Sequence, residues 1–300
     1  NAQANIEITV EGVADITPPA AEIKVKENNW TSFWNNLTFG LFFKETQDVT
    51  ITAADKGSGV KSIQYYLSNG ELELDEVKAI SDWVDYNGTF KIDPNNYYVV
   101  YAKITDHAGN ILYINSNGIV LDNIAPTLEG IEDGKTYYGD LTVIKSDEQF
   151  YDIKAVTLDG EPMGFAEGTY GLIPADNAEH IVVVEDHAGN KTTYTVTVMK
   201  NYTVTYKADG EPFSTETVGH GKDATAPDIP EKEGYTKTAP VWDKDGTNIT
   251  ADTEINAVYT INEYTITFKD ENGVYKTLTV KHGEAVTMPE VPAKDGYTVT

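Results

Sequence analysis

Residues 202–206 alternate without a break, with Tyr202, Val204 and Tyr206 on one side and Thr203 and Thr205 on the other. A period of two places successive side chains on opposite faces of an extended chain, so the stretch predicts a half-buried strand. A turn at Ala-Asp-Gly-Glu (208–211) leads into a second alternating run ending at Val218, and His-Gly-Lys (220–222) closes it. Glu-Ile-Asn-Ala-Val-Tyr (254–259) predicts a closing strand. Tyr202, Val204, Tyr206, Val218, Tyr235 and Trp242 are the expected core of this module. Residues 264–298 align with 202–236 without a gap, but the second copy stops before its equivalent of Trp242.

A second repeat lies upstream. Asp48-Val49-Thr50-Ile51 matches Asp140-Leu141-Thr142-Val143, and Asp55 matches Asp147. Lys61-Ser62-Ile63 then matches Lys154-Ala155-Val156, one residue out of step. Both copies run through a strand into Asp-His-Ala-Gly-Asn, at 106–110 and 186–190. The junctions before the copies also repeat, as Val-Ala-Asp-Ile-Thr-Pro-Pro (13–19) and Leu-Asp-Asn-Ile-Ala-Pro (121–126). Proline fixes the chain and removes a donor, which suits a stiff link. Short alternating strands with turn signals at this spacing predict β-sandwiches. The first copy carries an insertion around Leu-Glu-Leu-Asp-Glu-Val (72–77) and Trp83.

The spaced His-Gly, Pro, Gly-Tyr and Trp of 201–261, repeated in part over 262–300, resemble the Listeria–Bacteroides (internalin-type B) repeats. That resemblance implies small β-grasp-like modules found in tandem on bacterial surface proteins. The Asp-Lys-Gly-Ser-Gly-Val stretch at 55–60, the two Asp-His-Ala-Gly-Asn turns and the Asp-Asn-Ile-Ala-Pro junction resemble bacterial immunoglobulin-like domains. The expected fold is therefore all-β dominated. It has immunoglobulin-like sandwiches at 18–124 and 125–200, a complete repeat at 201–261 and a truncated one at 262–300. Residues 1–17 read as the last strand of a preceding module with its linker, and the whole as an excerpt of something longer.

Composition narrows the partners. The net charge is −26, and all 22 basic residues are lysine. Counterion release and base reading both need a basic surface, so nucleic acid is excluded as a partner, and anionic membranes are disfavoured by the same repulsion. Strong net charge keeps a protein soluble and self-repelling, so a monomer is expected. No apolar run reaches membrane-span length, and with no cysteine there is neither a disulfide framework nor a thiolate metal site.

Four chemistries remain to be weighed. Catalysis lacks a residue set: the Gly-Ser-Gly at 57–59 sits in a turn, and the five histidines fall at 107, 180, 187, 220 and 282 without ligand spacing. The repeated pentapeptide reads as hairpin-turn chemistry. Asp106 and Asp186 accept local amides, Gly109 and Gly189 take positive φ, and Asn110 and Asn190 complete the loop. Calcium takes carboxylate and carbonyl oxygens, which makes Asp15, Asp55, Asp106 and Asp122 its candidate ligands by their place in loops and junctions. Glycans stack on exposed aromatic rings. The candidates are Trp30 and Trp34 in the aromatic stretch 27–43 and Trp83 in the insertion, although the same residues also suit the core of an enlarged sandwich.

The sequence thus predicts a non-catalytic stalk or adhesion region, extracellular or wall-attached, of a Gram-positive-type surface protein. Two alternatives are kept: a glycan- or host-ligand-binding domain at 18–124, and an accessory region of a secreted carbohydrate-active enzyme. No cofactor beyond calcium is implied. A covalent Lys–Asn staple would suit a stalk without disulfides; it needs a lysine, an asparagine and an acid converging in one core, a trio that sequence alone does not locate.

Overall fold

The computed structural model describes residues 12–146, 153–166 and 170–298. Asp147, the counterpart of Asp55, lies outside the described residues.

In the first sandwich, Asn28–Trp30, Ala20–Val25, Gln47–Ala54 and Phe90–Ile92 pair in that order as one sheet. The facing sheet runs Leu41–Phe43, Ile119–Leu121, Asn96–Asp106, Val60–Ser68 and Val84–Asp85, with Ile111–Asn115 also pairing to Asn96–Asp106. Alternation selects the core: Ile23 and Val25, then Val49 and Ile51, meet Val100, Ala102 and Ile104 between the sheets. The intervening residues of the long strand, Val99 and Tyr101, are buried as well, on its other face.

That second burial is the work of the insertion. The six-residue helix Leu74–Ala79 sets Val77 against Val99 and Tyr101, with Phe33, Leu37, Phe39 and Trp83 around them. The Glu73 N–H donates to the Glu76 carboxylate at 2.8 Å, tying down the first turn. The Leu72 N–H donates to the Tyr101 hydroxyl at 2.7 Å, so a ring rooted in the sheet also anchors the insertion. The aromatic stretch therefore divides. Phe33 and Phe39 join this outer cluster, while Trp30 and Phe43 pack against the inter-sheet core.

The second sandwich repeats the plan with fewer additions. Ile153–Leu158 pairs with Ala178–Asp186, and a register shift between Ile153 and Ala155 matches one between Val60 and Ser62 in the first copy. Both shifts place an extra lysine, Lys61 or Lys154, beside the Asp-His-Ala-Gly-Asn turn. Such bulges twist a strand and re-aim its end, here next to the turn. Leu128 enters the core with its N–H donated to the Tyr194 hydroxyl at 3.0 Å.

The 201–261 module is a four-stranded sheet ordered Glu211–Gly219, Asn201–Ala208, Thr253–Ile261, Tyr235–Trp242. The strand that comes last in sequence lies inside the sheet, parallel to Asn201–Ala208. A mixed centre with antiparallel hairpins outside it is the β-grasp-like arrangement. Val204, Tyr206, Val218 and Trp242 are buried as the alternation predicts, and Ile229, Ile249 and Ile255 join them. Tyr202 packs against this core half-buried. Glu263–Asp270 and Gly273–Lys281 repeat the first hairpin, with the same register shift after Phe268 as after Tyr206.

One core atom is out of place energetically. The Tyr206 hydroxyl is buried without a hydrogen-bond partner, and Phe268 stands at the matched position of the second hairpin. A buried unpaired hydroxyl costs about 1–3 kcal/mol. Tyr206→Phe should therefore leave the module folded and raise its unfolding free energy by about 1 kcal/mol, read from urea unfolding of the full chain.

Candidate functional site

The site is built at one pole of each sandwich, where the pentapeptide turn meets the segment entering the domain. The Asp106 carboxylate accepts from the Asn110 backbone N–H at 2.8 Å and from its side-chain amide at 2.7 Å. The Gly109 N–H donates to the Asp106 carbonyl at 3.3 Å, with Gly109 at φ +94°, a conformation that costs glycine nothing. Asp186, Gly189 and Asn190 reproduce the turn, with the two carboxylate bonds at 2.9 and 2.8 Å and Gly189 at φ +88°.

The asparagine does more than close the turn. The Asn110 amide also donates to the carbonyl of Asp15 at 3.1 Å, and the Asn190 amide to the carbonyl of Asp122 at 2.9 Å. Asp15 and Asp122 are the matching aspartates of the two junctions. Each turn thus grips the chain that enters its own sandwich. Local turn chemistry gave no hint of this contact. The signal available was the recurrence of Asp at both junctions alongside the recurring Asn.

Three of the four calcium candidates come together at the first pole. Carboxylate oxygens of Asp15, Asp55 and Asp106 lie within 4.8 Å of one another, a donor set that fits a hard cation. Their hydrogen bonds give them a structural role as well. Asp15 accepts from Thr17 N–H at 3.1 Å and Ser58 N–H at 2.8 Å, and Asp55 accepts from Gly59 N–H at 2.6 Å. A Cβ at position 57 would stand 2.3 Å from an Asp15 oxygen, so only glycine lets the carboxylate sit on this loop. Asp122 is not in the group. It occupies the second junction, buried, with its carboxylate accepting from Ile124 N–H at 2.9 Å.

The two poles differ electrostatically. The N–H groups of Thr17 and Ser58 hold the Asp15 carboxyl below its ordinary value. Burial pushes Asp106 up, but its bonds from Asn110 and Gly109 outweigh this and leave it lowered. Asp122 goes the other way: burial and the charge of Asp186 raise it against the single bond from Ile124.

The remaining candidates are scattered. Trp30 pairs opposite Ile23 and is half-buried. Trp83 is half-buried between Tyr66 and Tyr113, with Lys103 Nζ 5.8 Å from its ring. Trp34 alone stands out, 55% exposed, with its backbone N–H and C=O both bonded to the side chain of Asn115 at 2.6 and 3.2 Å. The histidines have separate surroundings: His187 stacks on Phe42 at 5.1 Å, His180 meets Asp159 at 2.8 Å, and His220 meets the Tyr202 hydroxyl at 3.4 Å. The buried polar and charged residues among those described include no lysine, so none of the described cores offers a covalent Lys–Asn staple its nucleophile.

Comparison with known proteins places the C-terminal third. The profile of the Listeria-Bacteroides repeat domain matches residues 202–262 and 264–300, so this part of the chain carries Listeria–Bacteroides repeats. Internalin H of Listeria monocytogenes serovar 1/2a (strain ATCC BAA-679 / EGD-e) is 36% identical over 117 residues, which is 36% of this chain and 21% of that protein. A putative membrane protein of Evansella cellulosilytica is 28% identical over 125 residues, 38% of this chain and 19% of that protein. The chain thus spans about a fifth of the length of these curated relatives. Among solved structures, the fibronectin(III)-like modules of Clostridium thermocellum CbhA align over 59% of this chain and 94% of theirs, at 16% identity and a TM-score of 0.29. The repeats and the two sandwiches make this a modular, all-β chain. Among the described residues no helix is long and apolar enough to cross a membrane.

The opposite shifts of Asp106 and Asp122 give opposite pH signatures. A carboxyl lowered on folding stabilises above its unfolded value, near 3.9, and that contribution is lost as pH falls through the folded value. A raised one stabilises below the unfolded value, and the contribution is lost as pH rises through the folded value. Asp106→Asn should therefore destabilise at pH 7 and flatten the loss of stability between about pH 5 and pH 2. Asp122→Asn should be neutral or stabilising at pH 7, with the difference shrinking on acidification. Urea midpoints across that range check both.

Proposed function

We propose that the chain is a stiff spacer segment of a bacterial surface protein, in which each sandwich clamps the linker that enters it. The observation that carries the reading is the paired bond from Asn110 to the Asp15 carbonyl and from Asn190 to the Asp122 carbonyl. A flexible tether would leave those carbonyls to water. Here a turn built on a buried carboxylate holds each one, and the prolines just after them, Pro19 and Pro126, are buried too. The lack of disulfides leaves hydrogen bonds and packing as the means of stiffening the junction.

The test is orientational. Residual dipolar couplings from the two sandwiches should fit one alignment tensor in the full chain. A Gly-Gly-Ser insertion after Asn123 should require two. Asn190→Ala, which removes hydrogen bonds to a carboxylate and a carbonyl, should cost about 1.5–3 kcal/mol and loosen the junction. Couplings that already need two tensors in the unaltered chain would overturn the spacer reading.

A second reading has its own support. Trp34 is an exposed ring on a backbone fixed at both ends by Asn115, so its presentation carries little ordering cost. Such a ring is suited to stacking on a sugar. Binding of the chain to mucin, plant or cell-wall glycans should then be lost in Trp34→Ala, while its unfolding free energy changes by less than about 0.5 kcal/mol. A folded protein that binds no glycan on the panel would remove this reading.

A further inference from the structure

The two poles are built alike yet covered differently. Their matching hydrogen bonds differ by at most 0.2 Å: 2.8 and 2.9 Å within the turn, 2.7 and 2.8 Å from amide to carboxylate, 3.1 and 2.9 Å from amide to linker. The turns themselves therefore do not explain the difference in burial. Asp122 and Asn190 are buried, whereas Asp15 and Asn110 are half-exposed. Ala188 is half-buried and Ala108 exposed. Two residues before the junction aspartate, Val120 is fully buried and Val13 is 100% exposed.

The rim of the first sandwich covers the second pole. Val120 belongs to Ile119–Leu121, which pairs in parallel with Leu41–Phe43 at the rim of the first sandwich. The Asp122 N–H donates to the Phe43 carbonyl at 2.9 Å, and the Phe42 ring stacks on His187 at 5.1 Å with planes 27° apart. The histidine that turn geometry leaves unexplained thus contacts the neighbouring module. His187 and its counterpart His107 are both solvent-exposed, and at the first pole Val13 and Ile16 are exposed as well.

We propose that the His107 pole of the first sandwich is a docking surface for another β-sandwich of the same kind on its N-terminal side. That occupant would supply an aromatic ring to His107 from the strand paired with its own last strand, and Val13 would continue that last strand, as Val120 does. The proposal rests on the spacer reading and extends it from one junction to a repeating joint. Chemistry favours this occupant: the uncovered groups are aliphatic and aromatic, and the carboxylates among them are already hydrogen-bonded to backbone and amide N–H groups.

The test places a copy of residues 18–121 directly ahead of Asp15 in the chain, recreating at the first pole the step from Leu121 to the junction aspartate. The expected result is an upfield ring-current shift of the His107 protons and roughly ten-fold slower exchange of the Asn110 side-chain amide. Both should be lost when Phe42→Ala is made in the added copy alone. A folded added copy that leaves His107 unshifted would overturn the proposal. In the unaltered chain, His187→Ala should loosen the existing joint; unchanged dipolar couplings in that variant would overturn it independently. Failure of the spacer reading looks different, because the native pair of sandwiches would then need two alignment tensors before any change is made.

Discussion

An asparagine side-chain amide has two N–H bonds, and at each pole both are used within the fold. One goes to the carboxylate four residues back, the other to the carbonyl of the entering linker. Aspartate in place of asparagine would set two carboxylates against each other, and alanine would leave a buried carboxylate short of a donor. The geometry of the joint depends on this one amide. It fixes where the linker passes, and hence where the first strand of the sandwich begins: Pro19 and Ala21 on one side, Pro126 and Leu128 on the other, are buried at matching positions. The bulge at Lys61 or Lys154 then brings the neighbouring strand end beside the same turn. Linker, turn and first strand are placed together.

Much of this architecture was legible because it is periodic. Strict alternation over 202–206 shows which face of the strand is buried, and the repeats show that the same strand patterns recur along the chain. The Asp-His-Ala-Gly-Asn turn was readable as a turn because glycine and Asx chemistry act locally. Its grip on the linker was not, since Asn110 and Asp15 are 95 residues apart and their bond runs to a backbone carbonyl that leaves no trace in residue type. Asp15, Asp55 and Asp106 gather at the first pole and Asp122 lies at the second, a division that their shared place in loops and junctions does not reveal. The aromatic stretch misleads for another reason. Composition cannot separate Trp30, on the inter-sheet core, from Trp34, turned outward four residues later, because the backbone between them leaves the strand.

The insertion changes how the first sandwich carries its long strand. A strand buried on both faces needs apolar residues at successive positions, and Val99, Val100, Tyr101 and Ala102 provide them. In the second sandwich the matching strand keeps the simple alternation of Val182 and Val184 with more exposed neighbours. The insertion, about twelve residues by the spacing from Asp48 to Asp106 against that from Asp140 to Asp186, thus gives the first sandwich a second small core around Val77. If the modules differ in function, this is the feature that distinguishes them, since the poles are shared.

The two C-terminal hairpins show what the later strands add. Val204, Tyr206 and Val218 are buried where Thr253–Ile261 lies beside Asn201–Ala208 and Trp242 covers the sheet. Ile266, Phe268 and Val280 hold the same register in the second hairpin yet are only half-buried, and Val291 is 54% exposed where its counterpart Ile229 is buried. The two hairpins share their register because it is set by the turn and the bulge after the aromatic residue. Burial in the 201–261 module comes instead from contacts with the parallel strand and the tryptophan. Local sequence therefore determines the pairing in these modules, and long-range packing determines their stability.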